Sequence, residues 1–217
     1  MAAGTDLSLI AYGDQVAGCE RCVLSKTRTQ VVFGSGSPHA ELMFVGEAPG
    51  FHEDKQGVPF VGAAGQLLNK LLAGIGLTRE DVYVCNTVKC RPPGNRDPLP
   101  EELEACEPHL WKQIELIQPK VVATLGNFAT KLLSGKPTGI TRVHGQEQEV
   151  VLGGQKVLLF PIFHPAAALY TPRMLEVLEA DFRRIPDLLG REVVPPVPEP
   201  FLAPEPVAEQ TVQLGLF

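Results

Sequence analysis

Four short apolar runs, set apart by segments of helical period, constrain this chain more than any other feature of it. Residues 41–46 (ELMFVG) read as a buried strand that ends in a Gly/Pro turn. Residues 81–89 (DVYVCNTVK), β-branched and apolar, are a second strand, and 120–126 (KVVATLG) a third. Residues 150–163 read as a hairpin turning at Gly153–Gly154 and running into a last strand. Leu67, Leu68, Leu71 and Leu72 recur at helical spacing and predict a helix over about 64–77. Pro100 opens a helix through Cys106 to Ile117, because proline suits a first helical turn. Asn127 is expected to cap a helix after the third strand, and residues 174–189 to form a final amphipathic helix. Strands alternating with helices imply an α/β fold, a parallel sheet covered on both faces.

The chain has 217 residues, 44% of them hydrophobic, enough to bury the core of one domain with or without a tail. The longest apolar run, Val157–Phe163, has seven residues including Pro161, well short of the about 20 a membrane span needs. The first thirty residues lack the basic start and long apolar stretch of a signal peptide, so a cytoplasmic location is expected. Net charge is −6, but residues 192–217 carry four acids and no Lys or Arg, leaving a body of net −2. Bulk charge therefore does not advertise nucleic-acid binding, while a local basic patch remains open to it. Six of the twelve residues of 195–206 (PPVPEPFLAPEP) are proline, which predicts an extended spacer. The expected organisation is a domain over 1–191, a proline-rich linker over 192–209 and a C-terminal peptide over 210–217.

Five cysteines, an odd count in a cytoplasmic setting, argue against a disulfide framework. Cys19 and Cys22 form a CxxC pair, and fifteen residues separate Cys90 from Cys106. Four thiolates suit a tetrahedral zinc or an iron–sulfur cluster; the alternative is a redox CxxC beside unrelated buried thiols. Spacing does not choose between the metals, although the open second pair leans toward a cluster. Cys85, inside an apolar run, reads as a core residue.

In open α/β sheets ligands bind at the carboxyl ends of the strands. Three segments place polar residues there: Gly46–Gly50 (GEAPG) followed by Glu53 and Asp54, Asn86 near the end of the second strand, and His164-Pro165 after the last. GEAPG is neither a GxGxxG fingerprint nor a P-loop. Each piece alone has an ordinary reading: a tight turn, a cap, a loop histidine. Together with Phe60 they offer an amide, an imidazole, carboxylates and an aromatic ring, a set that fits a planar hydrogen-bonding ligand such as a nucleobase.

GEAPGFHEDKQGVPFVGAAGQLLNKLL, then VYVCNTVKCRPPGNRDP, then FHPA resemble the family 4 uracil-DNA glycosylases over roughly residues 15–190. The resemblance implies a three-layer α/β/α domain, a central, mostly parallel four-stranded sheet and an N-terminal cluster-binding segment. It implies that Cys19, Cys22, Cys90 and Cys106 hold a structural 4Fe–4S cluster, with no organic cofactor. Phe60 resembles the aromatic that stacks on the flipped uracil, and Asn86 the amide that bonds uracil N3–H and O4. Backbone groups of Glu47 and Ala48 are expected to help hold the base. His164 resembles the donor to uracil O2, where negative charge develops as the N-glycosidic bond breaks.

Water then attacks an oxocarbenium-like sugar. The best-known uracil glycosylases carry Asp where this chain has Ala48, so Glu47 and Glu53 are the candidates for orienting the water, with Asp54 read as a surface acid. Arg91, Asn95 and Arg96 are candidate phosphate contacts, and Leu169 a candidate wedge into the base stack. A covalently trapping branch of the superfamily carries a basic, His-containing insertion after the second strand; here VKC runs directly into RPPGNRDP. The terminal QLGLF (Gln213, Leu214, Leu216, Phe217) resembles the pentapeptide that binds the bacterial sliding clamp. The expectation is thus a monomeric DNA-repair hydrolase acting on uracil-containing DNA. The competing readings are a non-catalytic iron–sulfur binding module and a redox sensor.

Overall fold

The computed structural model describes residues 2–190, with side chains from residue 8 onward. The proline-rich linker and the QLGLF peptide lie outside the described residues. In chain order the elements are α1 (Ala2–Ala17), β1 (Ser35–Gly36), β2 (Leu42–Gly46), α2 (Phe51–Gln56), α3 (Ala63–Ala73), β3 (Tyr83–Asn86), α4 (Pro100–Ile117), β4 (Val121–Leu125), α5 (Asn127–Ser134), α6 (Ile140–Val143), β5 (Gln148–Leu152), β6 (Gln155–Ile162), α7 (Pro172–Arg183) and α8 (Ile185–Leu189). No helix among them is long and apolar enough to cross a membrane.

The strands form one six-stranded sheet in the order β1-β3-β2-β4-β6-β5. The expected four-stranded parallel sheet is its centre, β3-β2-β4-β6, and β1 and β5 add antiparallel edges. Successive side chains of a strand point to opposite faces. Leu42 and Phe44 pack with Leu68, Leu72, Phe160 and Phe182 under α3, α7 and α8. Met43 and Val45 pack with Leu9, Leu110, Ile114, Ala129 and Leu133 under α1, α4 and α5. Every residue of β2 is therefore buried, as a strand covered on both faces requires, and the three layers follow.

Four local expectations are corrected. The second strand stops at Asn86, because Thr87 and Val88 turn away to bond the Glu47 carbonyl. Asn127 is the first helical residue of α5 rather than its cap; its Oδ1 accepts from the Ile140 amide at 2.8 Å and ties α5 to α6. The final helix breaks into α7 and α8 at Arg184, where Pro186 has no N–H to continue the ladder. Asp54 is buried rather than a surface acid, its Oδ1 accepting from the Thr29 amide at 2.8 Å. The N-terminal helix α1, which carries little apolar periodicity, had no counterpart in the sequence reading; it packs on α4.

Candidate functional site

β2 and β3 end in register, Gly46 beside Asn86, so the turn after one strand faces the amide at the end of the other. Gly46 makes this juxtaposition possible. A Cβ there would collide with Asn86 Oδ1 and come within 2.7 Å of the Phe60 ring. Asn86 is buried, and its main-chain carbonyl accepts from Lys89 Nζ at 2.7 Å.

Phe60 has a φ of 55°, an unfavourable left-handed conformation for a residue with a bulky side chain. Its neighbours over-determine it. Arg79 Nη2 donates to the Pro59 carbonyl at 2.8 Å, and Glu53 Oε1 accepts from the amides of Val61 and Gly62 at 2.9 and 3.0 Å. Gly65 gives the Phe60 carbonyl room where any side chain would strike it. The Phe60 ring lies 5.6 Å from the His164 ring, at 27° to it.

His164 follows β6 and caps the short turn Pro165–Ala168, its Nδ1 accepting from the Ala166 amide at 3.1 Å. That bond places the proton of the neutral ring on Nε2. Burial pulls the imidazole down to about 4, with Glu53 opposing, so the ring is neutral at physiological pH and still a donor.

Glu47, Ala48, Glu53, Phe60, Asn86, Asn95, Arg96, His164 and Leu169 all line one cleft of about 520 Å³. Burial, then the charge of Asp97, holds the Glu47 carboxyl above the usual carboxylate range. The Glu47 carbonyl is occupied, accepting from the Val88 amide and, at 2.6 Å, from Thr87 Oγ1. Arg91 stands outside the cleft wall; its Nε donates to Asn95 Oδ1 at 2.6 Å and its guanidinium lies 5.2 Å from the Phe51 ring centre. Arg96 is on the wall but forks onto buried Glu102, at 2.8 and 2.6 Å. Tyr170, directly after Leu169, is 90% exposed.

Cys19, Cys22, Cys90 and Cys106 line a second, smaller pocket between α1, α4 and the loop after β3. Two donors reach their sulfurs, Lys89 N to Cys106 at 3.2 Å and Arg28 Nη1 to Cys90 at 3.5 Å, and His109 Nε2 lies 3.3 Å from Cys19 Sγ. Tyr12 Oη bonds His109 Nδ1 at 2.7 Å; where the hydroxyl donates there, the neutral ring turns its own N–H on the sulfur. Burial pushes the Cys90 thiol up to about 11, against the pull of Arg28. No three His, Cys, Asp or Glu among the described residues close on one point as a single ion requires. Cys85 is fully buried in the core layer under α1, α4 and α5, as expected, and does not line the pocket.

His109 was missed in the sequence, though a signal existed: it lies three residues after Cys106 on one helix and so shares its face. Arg79 and Lys89 gave no signal, because their roles rest on reaching main-chain carbonyls through tertiary structure.

An α/β sheet with an amide, an aromatic ring and a neutral imidazole gathered at the carboxyl ends of its strands makes a cleft suited to a planar, hydrogen-bonding ligand. The chain belongs to the uracil DNA glycosylase superfamily, whose family model matches residues 33–185. It is 50% identical over 182 residues to the type-4 uracil-DNA glycosylase of Archaeoglobus fulgidus, covering 82% of this chain and 92% of that one. It is 47% identical over 186 residues to the type-4 enzyme of Sulfurisphaera tokodaii (83% and 84% covered), and 50% identical over 154 residues to that of Thermotoga maritima (70% and 79% covered). Within the superfamily the chain groups with these type-4 glycosylases.

Proposed function

We propose that the chain flips uracil out of DNA and hydrolyses its N-glycosidic bond, releasing uracil and leaving an abasic site. The observation that carries this is the meeting of Asn86, Phe60 and His164 in one cleft. Unstacking the base costs a few kcal/mol, which contacts inside the pocket must offset. Phe60 supplies a face for the base. The Asn86 amide offers an acceptor for N3–H and a donor for O4, a pattern that cytosine reverses. His164 Nε2–H, neutral and fixed by its Nδ1 bond, is aimed to donate to O2, so the departing base is stabilised where its charge grows.

Glu53 has one oxygen committed to two amides, which makes it a positioning residue for the Phe60 loop. Glu47 is then the better placed carboxylate for orienting water. Asn95 and Arg96, which line the cleft, and Arg91, bonded to Asn95 just outside it, are the proposed phosphate contacts, and Leu169, also on the cleft, is the proposed wedge.

The four pocket cysteines are proposed to hold a 4Fe–4S cluster, the group that the resemblance to the type-4 family implies. Two N–H donors to the sulfurs, joined by His109 where its Nε2 carries the proton, match the acceptor character of bound thiolates. When bound, the cluster would crosslink the N-terminal segment, the loop after β3 and α4. QLGLF on its proline spacer is proposed to tether the enzyme to a bacterial-type sliding clamp, raising its effective concentration at DNA. Deleting residues 212–217 should abolish clamp pull-down and leave activity on free oligonucleotide intact.

The test of the reaction is abasic-site formation on a uracil-containing oligonucleotide, wild type against Asn86→Ala and His164→Ala. Product from wild type and a sharp loss in both variants supports the proposal. No product from folded, brown wild-type protein favours a non-catalytic binding module.

A further inference from the structure

Phe51 is a large apolar side chain left 50% exposed at the start of α2, one residue after the cleft residue Gly50. Three side chains crowd its ring and leave it half exposed. The Arg91 guanidinium lies 5.2 Å from the ring centre, Lys55 Nζ 5.9 Å, and the His52 ring stands edge-on at 5.4 Å. Arg91 is held in turn by Asn95, which is itself on the cleft wall. The result is a small half-exposed platform beside the cleft, an aromatic ring with the charges of Arg91 and Lys55 over it.

We propose that this platform takes the unpaired nucleobase next to the flipped uracil on the same strand. The inference rests on the uracil-excision reading and goes beyond it, since it assigns a second base site outside the pocket. The chemistry is that of single-strand recognition: bases stack on an aromatic face whatever their identity, while cations beside it take the backbone phosphates. A strand leaving the pocket past Gly50 and Asn95 carries a phosphate on each side of the neighbouring sugar. Lys55 and Arg91, whose charges lie over part of the ring, are the cations to meet them, with the half-exposed remainder of the ring left to the base. A paired neighbour stays stacked in its duplex, so the platform favours uracil in unpaired or locally opened DNA.

The test uses full-length, cluster-loaded enzyme and single-stranded oligonucleotides with one uracil. Each of the two neighbouring positions carries in turn thymine or a base-less tetrahydrofuran. Wild type should show KM raised about fivefold or more when one particular neighbour lacks its base, with little change for the other; about fivefold is the low end of base–aromatic stacking. Phe51→Leu keeps apolar bulk under Arg91 but removes the aromatic face. It should raise KM on the thymine substrate and respond equally to both oligonucleotides, while its melting temperature and its absorbance near 400 nm match wild type. Wild type indifferent to base removal on either side overturns the proposal. So does Phe51→Leu retaining the discrimination, which would leave the ring as a prop for the Arg91 loop. Failure of the uracil-excision reading is told apart because wild type would then release no uracil from any of these oligonucleotides.

Discussion

Lys89 Nζ donates to the main-chain carbonyl of Asn86 at 2.7 Å, from a side chain that is 1% exposed. The amide of the same lysine donates to Cys106 Sγ. One residue therefore touches both the strand end that carries Asn86 and the cysteine pocket. A buried ammonium is costly unless paired, and the pocket's sulfurs, as thiolates, would supply the compensating charge. Lys89→Met keeps the stem and leaves the Asn86 carbonyl unbonded, which costs about 1–3 kcal/mol. For a domain of this size that lowers the melting temperature by roughly 2–4 °C per kcal/mol. A melt of the variant and its inhibition by free uracil check this together; unchanged values in both would show that the bond supports neither stability nor the pocket.

Glu53 separates a positioning role from a catalytic one. Its Oε1 accepts two amide hydrogens, and an amide oxygen accepts them as well. Glu53→Gln should therefore keep kcat within about tenfold, whereas Glu53→Ala, which releases both amides, should raise KM through a loosened Phe60 at about 1 kcal/mol or more per lost bond. A fall in kcat of about 10²-fold or more in Glu53→Gln, the scale of lost general-base catalysis, would return Glu53 to the water-activating role.

The sign of the His164 shift fixes a pH dependence. Its pKa in the fold is depressed to about 4, below the unfolded value of about 6.5. The neutral ring is the form the fold favours, so its contribution to stability is complete above about pH 6.5 and falls away as pH drops toward 4. kcat/KM, which reports the free enzyme, should stay flat through pH 6.5 and decline only near 4 to 5. His164→Ala should lose about 10²–10³ in kcat, the scale of one removed oxyanion donor, and should lose the acid limb attributable to this ring. An inflection near 6.5 that vanishes in His164→Ala would show a ring more exposed than the cleft makes it.

What was legible in the sequence was whatever a local pattern carries. Buried parallel strands announce themselves as apolar runs, and Asn86 and His164 stand at their ends, so the cleft could be assembled before any coordinates. The long-range bonds were hidden. Asp54 follows Glu53 in an acidic, helical stretch and looks like surface, but the fold brings Thr29 onto it across 25 residues. Asn127 has a capping residue's identity and spends its side chain on Ile140 instead. The break at Arg184 was available in Pro186 and was overridden by the amphipathic period on both sides.

The cluster proposed for the cysteine pocket predicts an order of loss. Cys22→Ser should bleach the absorbance near 400 nm and lower the melting temperature, because the N-terminal segment loses its tie to α4. Cys85→Ala should leave the colour intact, since Cys85 packs with Met43, Val45 and Ile114 in the core layer beneath α4. His109→Ala should fall between them, with the cluster retained but lost faster on dilution or in air, because one donor to Cys19 is gone. Iron content and absorbance of the three purified variants decide it; bleaching in Cys85→Ala would mean that the ligand set is wrong.

Arg79 carries the last prediction. Burial pulls its guanidinium below the usual arginine value, and Nη1 is buried without a partner, so the side chain is kept in place at a cost. What it does there is hold the Pro59 carbonyl, one residue before the left-handed Phe60. Arg79→Met removes the desolvated charge along with the bonds to Pro59 and, at 3.2 Å, to Ser35 Oγ, so the effects on stability oppose each other and the melting temperature should move by only a few degrees. The loop, however, loses its anchor on the side opposite Glu53, and Phe60 is then free to relax from its strained φ. KM for uracil-containing oligonucleotide should rise about five- to tenfold, the scale of one lost hydrogen bond of about 1–1.5 kcal/mol, with kcat changed far less, because the His164 donor is untouched. An equal fall in kcat would place Arg79 on the reaction itself rather than on the loop that holds the base.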